Sequence, residues 1–227
     1  MSLPISARLL AAAKFVRQGA YFADIGTDHA YLPLFLLKSG IISHAVCADI
    51  NEGPLATARK NAAEAGLLSM IDFYLTDGVA ELSHLPITDY AICGMGGELI
   101  SGIISRAPHL KQRGIRLVLQ PMTRVEELRT YLAASGFSVV CEDYVTDTHR
   151  SYVILVAEYT GECRELDLAS AYLGESVPRV VLNEPHREYL IAKRRSLSKS
   201  LEGKMKGGED FSTEKEIVSQ IDKILNE

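Results

Sequence analysis

Short apolar runs alternate with amphipathic stretches through roughly the first two thirds of the chain. Each run is rich in branched or aromatic residues and is followed by turn-forming residues, which predicts a β-strand. The amphipathic stretches predict helices, and most of them end near a glycine. The predicted strands are 20–25, 44–50, 71–75, 90–93, 116–120, 137–145 and 152–159. The predicted helices are 6–17, 31–38, 54–65, 98–105 and 123–134, with a short helical turn at 79–82.

This alternation of strands and helices predicts an α/β fold with a mostly parallel, doubly wound sheet. The last two strands are joined by the polar segment 146–151 and predict an antiparallel hairpin. Seven strands that end in such a hairpin are the arrangement of class I methyltransferases, which have a Rossmann-like fold.

The pattern changes after Gly161, because no strand-like alternation follows it. The stretch 185–204 predicts one helix with leucines on one side, and 213–225 predicts a second with an isoleucine stripe. Two such helices joined by a glycine-rich turn predict an antiparallel, coiled-coil-like helical hairpin. The sequence therefore divides into a Rossmann-like domain at 1–161 and a helical domain at 162–227.

Several residues mark predicted helix ends. Ser6 is a candidate N-cap of the first helix, and 213–216 offers a capping box for the last one. Gly203, Gly207 and Gly208 are expected to interrupt the helical pattern that begins at residue 185.

Composition narrows the class of protein. A length of 227 residues allows one full α/β domain and a small appendage, and 23% charged residues are typical of a globular protein. No apolar run is long enough for a membrane span, and neither a signal peptide nor a membrane segment is expected. The four scattered cysteines favour reduced thiols in the cytoplasm over a disulfide framework or a metal site.

The net charge of −5 hides a local basic stretch. Residues 178–206 carry 8 basic and 3 acidic side chains, whereas the chain on either side is acidic. Such local density is typical of a phosphate-binding surface, and a solvated helix face is the alternative. The basic residues are Arg179, Arg187, Lys193, Arg194, Arg195, Lys199, Lys204 and Lys206. Several fall on one helix face, which predicts salt-sensitive contact with phosphates.

The loop after the first strand carries the most chemistry. Asp24-Ile25-Gly26 ends the strand, and a glycine there lets the backbone turn so that the next helix can aim its N–H groups at a ligand. The dinucleotide fingerprint would place a glycine at position 28, where this chain has Asp28. A carboxylate repels a pyrophosphate, which disfavours NAD or FAD. A cofactor with positive charge, such as S-adenosylmethionine (SAM), fits this acidic loop better.

Further cofactor positions are expected at the ends of the next strands. Asp49 ends the second strand, where an acid can accept hydrogen bonds from both ribose hydroxyls, and Ile50 is assigned to the same site. Asp77 ends the third strand, and Gly78 would let the backbone pass close to an adenine ring. Gly94 follows the fourth strand and is also assigned to cofactor binding.

Asp28 and His29 are the candidate catalytic residues. Asp28 is expected to lie between cofactor and substrate, and the alternative is that it caps the next helix. His29 could equally be a hydrogen-bonding residue of the loop. Tyr31 could stack on a base or pack against the protein.

The segment after the fourth strand is a candidate acceptor site. It reads Gly94-Met95-Gly96-Gly97, and this many glycines imply close backbone approach or a sharp turn. Met95 could contact the substrate or simply pack. Gln120 ends the fifth strand, and its amide could read a base edge or satisfy the backbone.

Three motifs together resemble one bacterial family, the tRNA (adenine(22)-N1)-methyltransferases called TrmK. They are the loop from Asp24 to Pro33, the segment Ile92-Cys-Gly-Met-Gly-Gly and the segment Leu119-Gln-Pro. The resemblance runs through nearly the whole chain and is strongest over 5–160. The hairpin turn 147–152 fits the family pattern less well.

The resemblance implies methyl transfer from SAM to N1 of an adenine in the D-loop of tRNA. It implies that 1–161 is catalytic and that 162–227 binds tRNA, and a monomer is expected. The expected tRNA-contacting residues are Tyr31, Met95, Gln120, Arg187, Lys193, Arg194, Arg195 and Lys199. A methyltransferase for another RNA site, a protein or a small molecule is the alternative, as is a non-catalytic SAM-binding RNA adaptor.

Overall fold

The structure is a computed structural model, and it describes residues 4–175 and 182–226. One sheet contains seven strands in the order β3-β2-β1-β4-β5-β7-β6. The strands are β1 (Phe22–Ile25), β2 (Ala45–Asp49), β3 (Ile71–Leu75), β4 (Asp89–Gly96), β5 (Arg116–Thr123), β6 (Phe137–Asp147) and β7 (Arg150–Tyr159). Strand β7 runs antiparallel to both of its neighbours, and β1 to β5 are parallel. The predicted Rossmann-like methyltransferase fold is confirmed.

Eight α-helices accompany these strands in the described part of the chain. They are α1 (Ala7–Ala13), α2 (Tyr31–Lys38), α3 (Glu52–Glu64), α4 (Gly97–Ser105), α5 (Val125–Ala134), α6 (Leu168–Leu173), α7 (Glu184–Gly207) and α8 (Ser212–Asn226). Among residues 4–175 and 182–226, no helix has both the length and the apolar character needed to cross a membrane.

The sheet is buried on both faces, which explains why its central strands read as continuous apolar runs. On one face, Phe22 and Cys47 belong to a core that also contains residues of α1 and α2. On the other face, Ala23, Ile25 and Val46 belong to a second core, shared with α4 and α5. Alternate residues of each strand therefore fix helices on opposite sides of the sheet.

The C-terminal helices pack on the second face of the sheet. Leu173, Leu190 and Ile217 are buried in the same apolar core as the strands. Helices α7 and α8 run antiparallel, since Arg187 near the start of α7 donates to the carbonyl oxygen of Leu225 near the end of α8. The helical segment therefore shares a core with the sheet.

A buried ion pair joins the sheet to this helical segment. The side chain of Arg129 in α5 is only 1% exposed and forms two hydrogen bonds with Glu142 of β6, at 2.8 and 3.0 Å. Its Nη1 also donates to the carbonyl oxygens of Ala171 and Tyr172 in α6, at 3.0 and 3.3 Å. One guanidinium thus connects α5, β6 and α6.

Some predicted boundaries were wrong. Helix α1 has the predicted Ser6 cap but ends at Ala13, and α7 continues through Gly203 to Gly207, where it is capped by Gly208 with a φ of 70°. The predicted capping box at 213–216 does not form, because α8 already begins at Ser212, whose N–H donates to Asp210. Helix α6 was missed, since its six residues are too few for a periodic signal.

Candidate active site

A cavity of about 410 Å³ opens at the carboxyl ends of β1 and β4. Its lining comes from the start of α1, the loop between β1 and α2, and the end of β4. Open α/β sheets bind ligands in this position, because their parallel strands all end at one edge. The structure brings together in this lining the predicted site residues Asp24, Gly26, Asp28, His29, Tyr31 and Gly94.

The glycine turn is held tightly against its neighbours. Gly26 has a φ of 75°, and the N–H groups of Gly26 and Thr27 both donate to the carbonyl oxygen of Ala48, at 2.8 and 3.0 Å. A Cβ atom on Gly26 would lie 2.0 Å from Cε of Met95. Met95 therefore packs directly over the turn. Packing was one of the two predicted roles of Met95, and contact with the substrate stays a prediction.

Asp24 supplies a buried carboxylate at the cavity. It is 8% exposed and accepts a hydrogen bond from the hydroxyl of Thr27. Burial raises the pKa of Asp24 to about 6, the Thr27 hydrogen bond opposes the rise, and the charge of Asp49 adds to it. At neutral pH the side chain is therefore a desolvated anion, which favours a cationic ligand.

Four other predicted cofactor residues lie at the same edge of the sheet but outside this lining. Asp49 accepts a hydrogen bond from the N–H of Asn51 at 2.7 Å, and Ile50 is exposed beside it. Asp77 accepts from Arg106 at 3.3 Å. Gly78 has a φ of 92°, a conformation that favours glycine. These residues follow β2 and β3 and would extend the site away from the cavity.

Asp28 does not cap α2. The N-cap of that helix is Ala30, with a φ of 56° and no side-chain hydrogen bond. Instead, the carboxylate of Asp28 is 72% exposed and lies 3.1 Å from Nε2 of His29. The rings of His29 and Tyr31 stack with their centroids 5.0 Å apart, and Asn61 donates to the carbonyl oxygen of His29 at 2.9 Å. The loop therefore presents Asp28 to solvent at the cavity on an anchored backbone.

Sequence reasoning missed Arg8, the one arginine or lysine in the described lining of the cavity. Its guanidinium donates to Oε1 of Gln120, which also accepts from the N–H of Gly94 at 3.2 Å. The amide nitrogen of Gln120 donates to Pro121 at 2.9 Å. Gln120 thus satisfies neighbouring backbone groups, which was one of its two predicted roles. That its amide also reads a base edge stays a prediction.

The basic stretch of α7 divides into two groups. Four members make contacts within the protein: Arg187 with Leu225, Lys193 with Glu126 at 2.6 Å, Arg194 with Asp222, and Lys204 with Glu214 at 2.8 Å. Arg195 and Lys199 are exposed, and in 4–175 and 182–226 neither pairs with a carboxylate. Arg179 lies outside the described residues. Contact with tRNA stays a prediction for all of these residues.

The sheet order and the acidic cavity beside the first glycine turn are those of the class I methyltransferase fold. A family model described as a methyltransferase domain matches residues 5–155, which include the whole cavity lining described above except Pro4. The chain therefore belongs to the methyltransferase-domain family.

The relatives narrow this class. A Bacillus subtilis protein named tRNA (adenine(22)-N(1))-methyltransferase is 32% identical over 156 residues, covering 69% of this chain and 66% of that protein. The chain spans 60–66% of the length of the curated relatives it matches. These matches confirm the resemblance drawn from the sequence motifs.

Several crystal structures match nearly the full chain, including two with TM-scores of 0.84 and 0.85. One is a Streptococcus agalactiae protein of the NADB-Rossmann superfamily, with a TM-score of 0.85, 32% identity and 99% of both chains covered. The other is a Streptococcus pneumoniae protein described as a candidate tRNA (m1A22) methyltransferase, in complex with S-adenosyl-L-methionine. It has a TM-score of 0.84 and 31% identity, and the match covers 97% of this chain and 99% of that one.

Proposed function

We propose that this chain transfers a methyl group from SAM to N1 of an adenine in tRNA, at position 22 of the D-loop. The observation that carries the proposal is the set of carboxylates around the glycine turn, at the sheet edge where this fold binds ligands. The relatives support the acceptor, because two of them are named for adenine 22 of tRNA.

The residues at the cavity fit SAM. Its methionine end carries both an ammonium and a carboxylate, and the lining offers Asp24 for the first and Arg8 for the second. Asp49 would accept hydrogen bonds from the ribose hydroxyls, and the exposed side chain of Ile50 would pack on the adenine. When bound there, SAM supplies an electrophilic methyl group.

Asp28 would act on the acceptor base. Adenine N1 already has a lone pair, so the protein needs no strong base before attack. The methylated ring is a cation, and a carboxylate close to it would stabilise the charge that grows in the transition state. His29, 3.1 Å from the Asp28 carboxylate and stacked on Tyr31, would hold that carboxylate in place.

The two segments of the chain would divide the work. Residues 1–161 contain the cavity and would carry out methyl transfer, whereas 162–227 would contact the tRNA backbone through Arg195 and Lys199. The base must leave its stack to reach the cavity, which costs less in a loop than in a duplex.

Replacing Gly26 with alanine is expected to weaken SAM binding at least 10-fold. The new methyl group would clash with the end of the Met95 side chain, which must then shift beside the glycine turn, and the positive φ adds strain. Gly19→Ala is the matched control, because Gly19 has a φ of 76° and no atom lies within 4 Å of the added Cβ. Calorimetric titration with SAM checks this, and equal affinities for the two variants would contradict it.

Replacing Asp28 with asparagine or alanine is expected to lower the single-turnover methylation rate about 10- to 100-fold, which corresponds to about 1.4–2.7 kcal/mol of transition-state stabilisation. SAM affinity should change less than threefold, because Asp24 and Asp49 remain. Asp72→Asn, an exposed acid near the amino end of β3, is the control. A full rate in both Asp28 variants would remove Asp28 from catalysis.

Methyl transfer from isotope-labelled SAM to unmodified tRNA tests the proposed function. Digestion to nucleosides should give labelled 1-methyladenosine, and a tRNA with guanine at position 22 should remain unlabelled. Label in a different nucleoside or in protein would contradict the assigned acceptor, and no transfer at all would contradict the proposed activity.

A further inference from the structure

A second and larger cavity lies next to the active site. It has a volume of about 550 Å³ and is enclosed by the end of β5, the turn between β6 and β7, and the first half of α7. We call it the hairpin groove. Its lining includes most of the hairpin turn 147–152, which fits the family pattern less well.

The hairpin groove combines positive charge with apolar surface. His149 and Arg150 come from the hairpin turn, and Arg195 comes from α7. In the described part of the chain neither arginine forms an ion pair. The one carboxylate of the lining, Glu188, accepts a hydrogen bond from the hydroxyl of Thr146. The groove is therefore cationic on a protein whose net charge is −5.

Two large apolar side chains in this lining are exposed. Met122, just after the buried part of β5, is 38% exposed, and Ile191 of α7 is 43% exposed. Exposed apolar side chains beside unpaired arginines suit a single-stranded nucleotide, whose phosphate needs a cation and whose base needs a flat apolar contact.

The linings of the hairpin groove and the active-site cavity meet at Tyr152 and Arg8. Tyr152 lines the groove, and the guanidinium of Arg8 lies 5.7 Å from the centre of its ring. Arg8 lines the active-site cavity, and its backbone N–H donates to the carboxylate of Asp147 in the hairpin at 3.2 Å. A strand that places one base in the cavity therefore has the groove next to it.

We propose that the hairpin groove binds a nucleotide that flanks the target adenine. Arg150 and Arg195 hold its phosphate, and Met122 and Ile191 contact its unstacked base. The inference rests on the proposed function, because it requires that the acceptor is RNA. It adds to that function a second nucleotide subsite and a contact that helps to select the RNA segment.

The test compares two double variants of the full chain. The groove variant, Arg150→Ala with Arg195→Ala, removes the two groove arginines. The control variant, Lys111→Ala with Arg113→Ala, removes two exposed cations just before β5, at the amino ends of the parallel strands. The affinity for unmodified tRNA is measured at several salt concentrations with S-adenosylhomocysteine present. The groove variant should bind at least 10-fold more weakly, and its salt slope should fall by about 0.7, since the two arginines hold one phosphate and each single-strand phosphate contact contributes about 0.7.

The control variant should lose less tRNA affinity and less of the salt slope than the groove variant does. Both variants should bind SAM as the wild type does. Ile191→Ser should weaken tRNA binding without changing the salt slope, because it removes an apolar contact and no charge. If the wild type methylates tRNA but the groove variant binds it with unchanged affinity and slope, the groove proposal alone fails. If the wild type neither binds nor methylates tRNA, the proposed function fails as well.

Discussion

Replacing Arg129 with alanine is expected to lower the free energy of unfolding by about 3–5 kcal/mol, because it leaves the buried carboxylate of Glu142 without its partner. The substitution also removes the donor that the carbonyl oxygens of Ala171 and Tyr172 share. The contact between the sheet and α6 should therefore loosen first. Urea unfolding followed by circular dichroism measures the free energy.

The exposed pair Arg164–Glu175 provides the matched control, since both side chains are more than a third exposed. Arg164→Ala should cost less than about 1 kcal/mol. The double variant Arg129→Met with Glu142→Leu should recover much of the loss, because it removes both buried charges. If Arg129→Ala and Arg164→Ala cost the same, the buried ion pair does not stabilise the junction between sheet and helices.

Replacing Asp24 with asparagine is expected to reduce SAM affinity about 10- to 100-fold while stabilising the protein without cofactor. The affinity falls because the cofactor's ammonium loses a charged hydrogen-bond acceptor. The stability rises because the pKa of Asp24 goes from 3.8 to about 6 on folding, so the folded protein carries an unfavourable buried charge at neutral pH. A rise of that size corresponds to at most about 3 kcal/mol.

Protonation of Asp24 at low pH should stabilise the cofactor-free protein and weaken SAM binding. Since the folded pKa is raised, the destabilisation by Asp24 is absent below about pH 4, grows between pH 4 and 6 and is complete above that range. SAM affinity of the wild type should fall as the pH drops through about 6, where Asp24 becomes protonated. Calorimetry at pH 5 and pH 7.5 checks both trends, with the exposed Glu64→Gln as control. A pH-independent affinity in the wild type would contradict the role of Asp24.

The sheet and the cofactor loop could be predicted because their signals are local. The turn after β1 needs a glycine at position 26, and the acids Asp24 and Asp49 stand at strand ends that a parallel sheet must bring to one edge. Periodicity gave the bounds of α2 and β3 to the residue. The glycine-rich segment 94–96 was expected to be a loop, but it pairs with β5 through an irregular register, because tertiary pairing outweighs local propensity.

The rest of the site depends on contacts between residues that are distant in the chain. Arg8 reaches Gln120 across 112 positions, and the packing of α1 against β5, β6 and β7 brings the two together. For the same reason, the sequence could not show that Lys193 of the basic stretch forms an ion pair. In the fold, Glu126 lies 2.6 Å from it. The hairpin groove likewise forms only where β5, the hairpin turn and α7 meet.

Competition between cofactors tests the central claim most directly. The full chain is dialysed to equilibrium with isotope-labelled SAM, alone and with a hundredfold excess of NAD. The acidic cavity should retain SAM at one molecule per chain in both cases, because Asp24 attracts the cationic cofactor and Asp28 repels a pyrophosphate. Displacement of SAM by NAD, or no retention of SAM at all, would contradict the account.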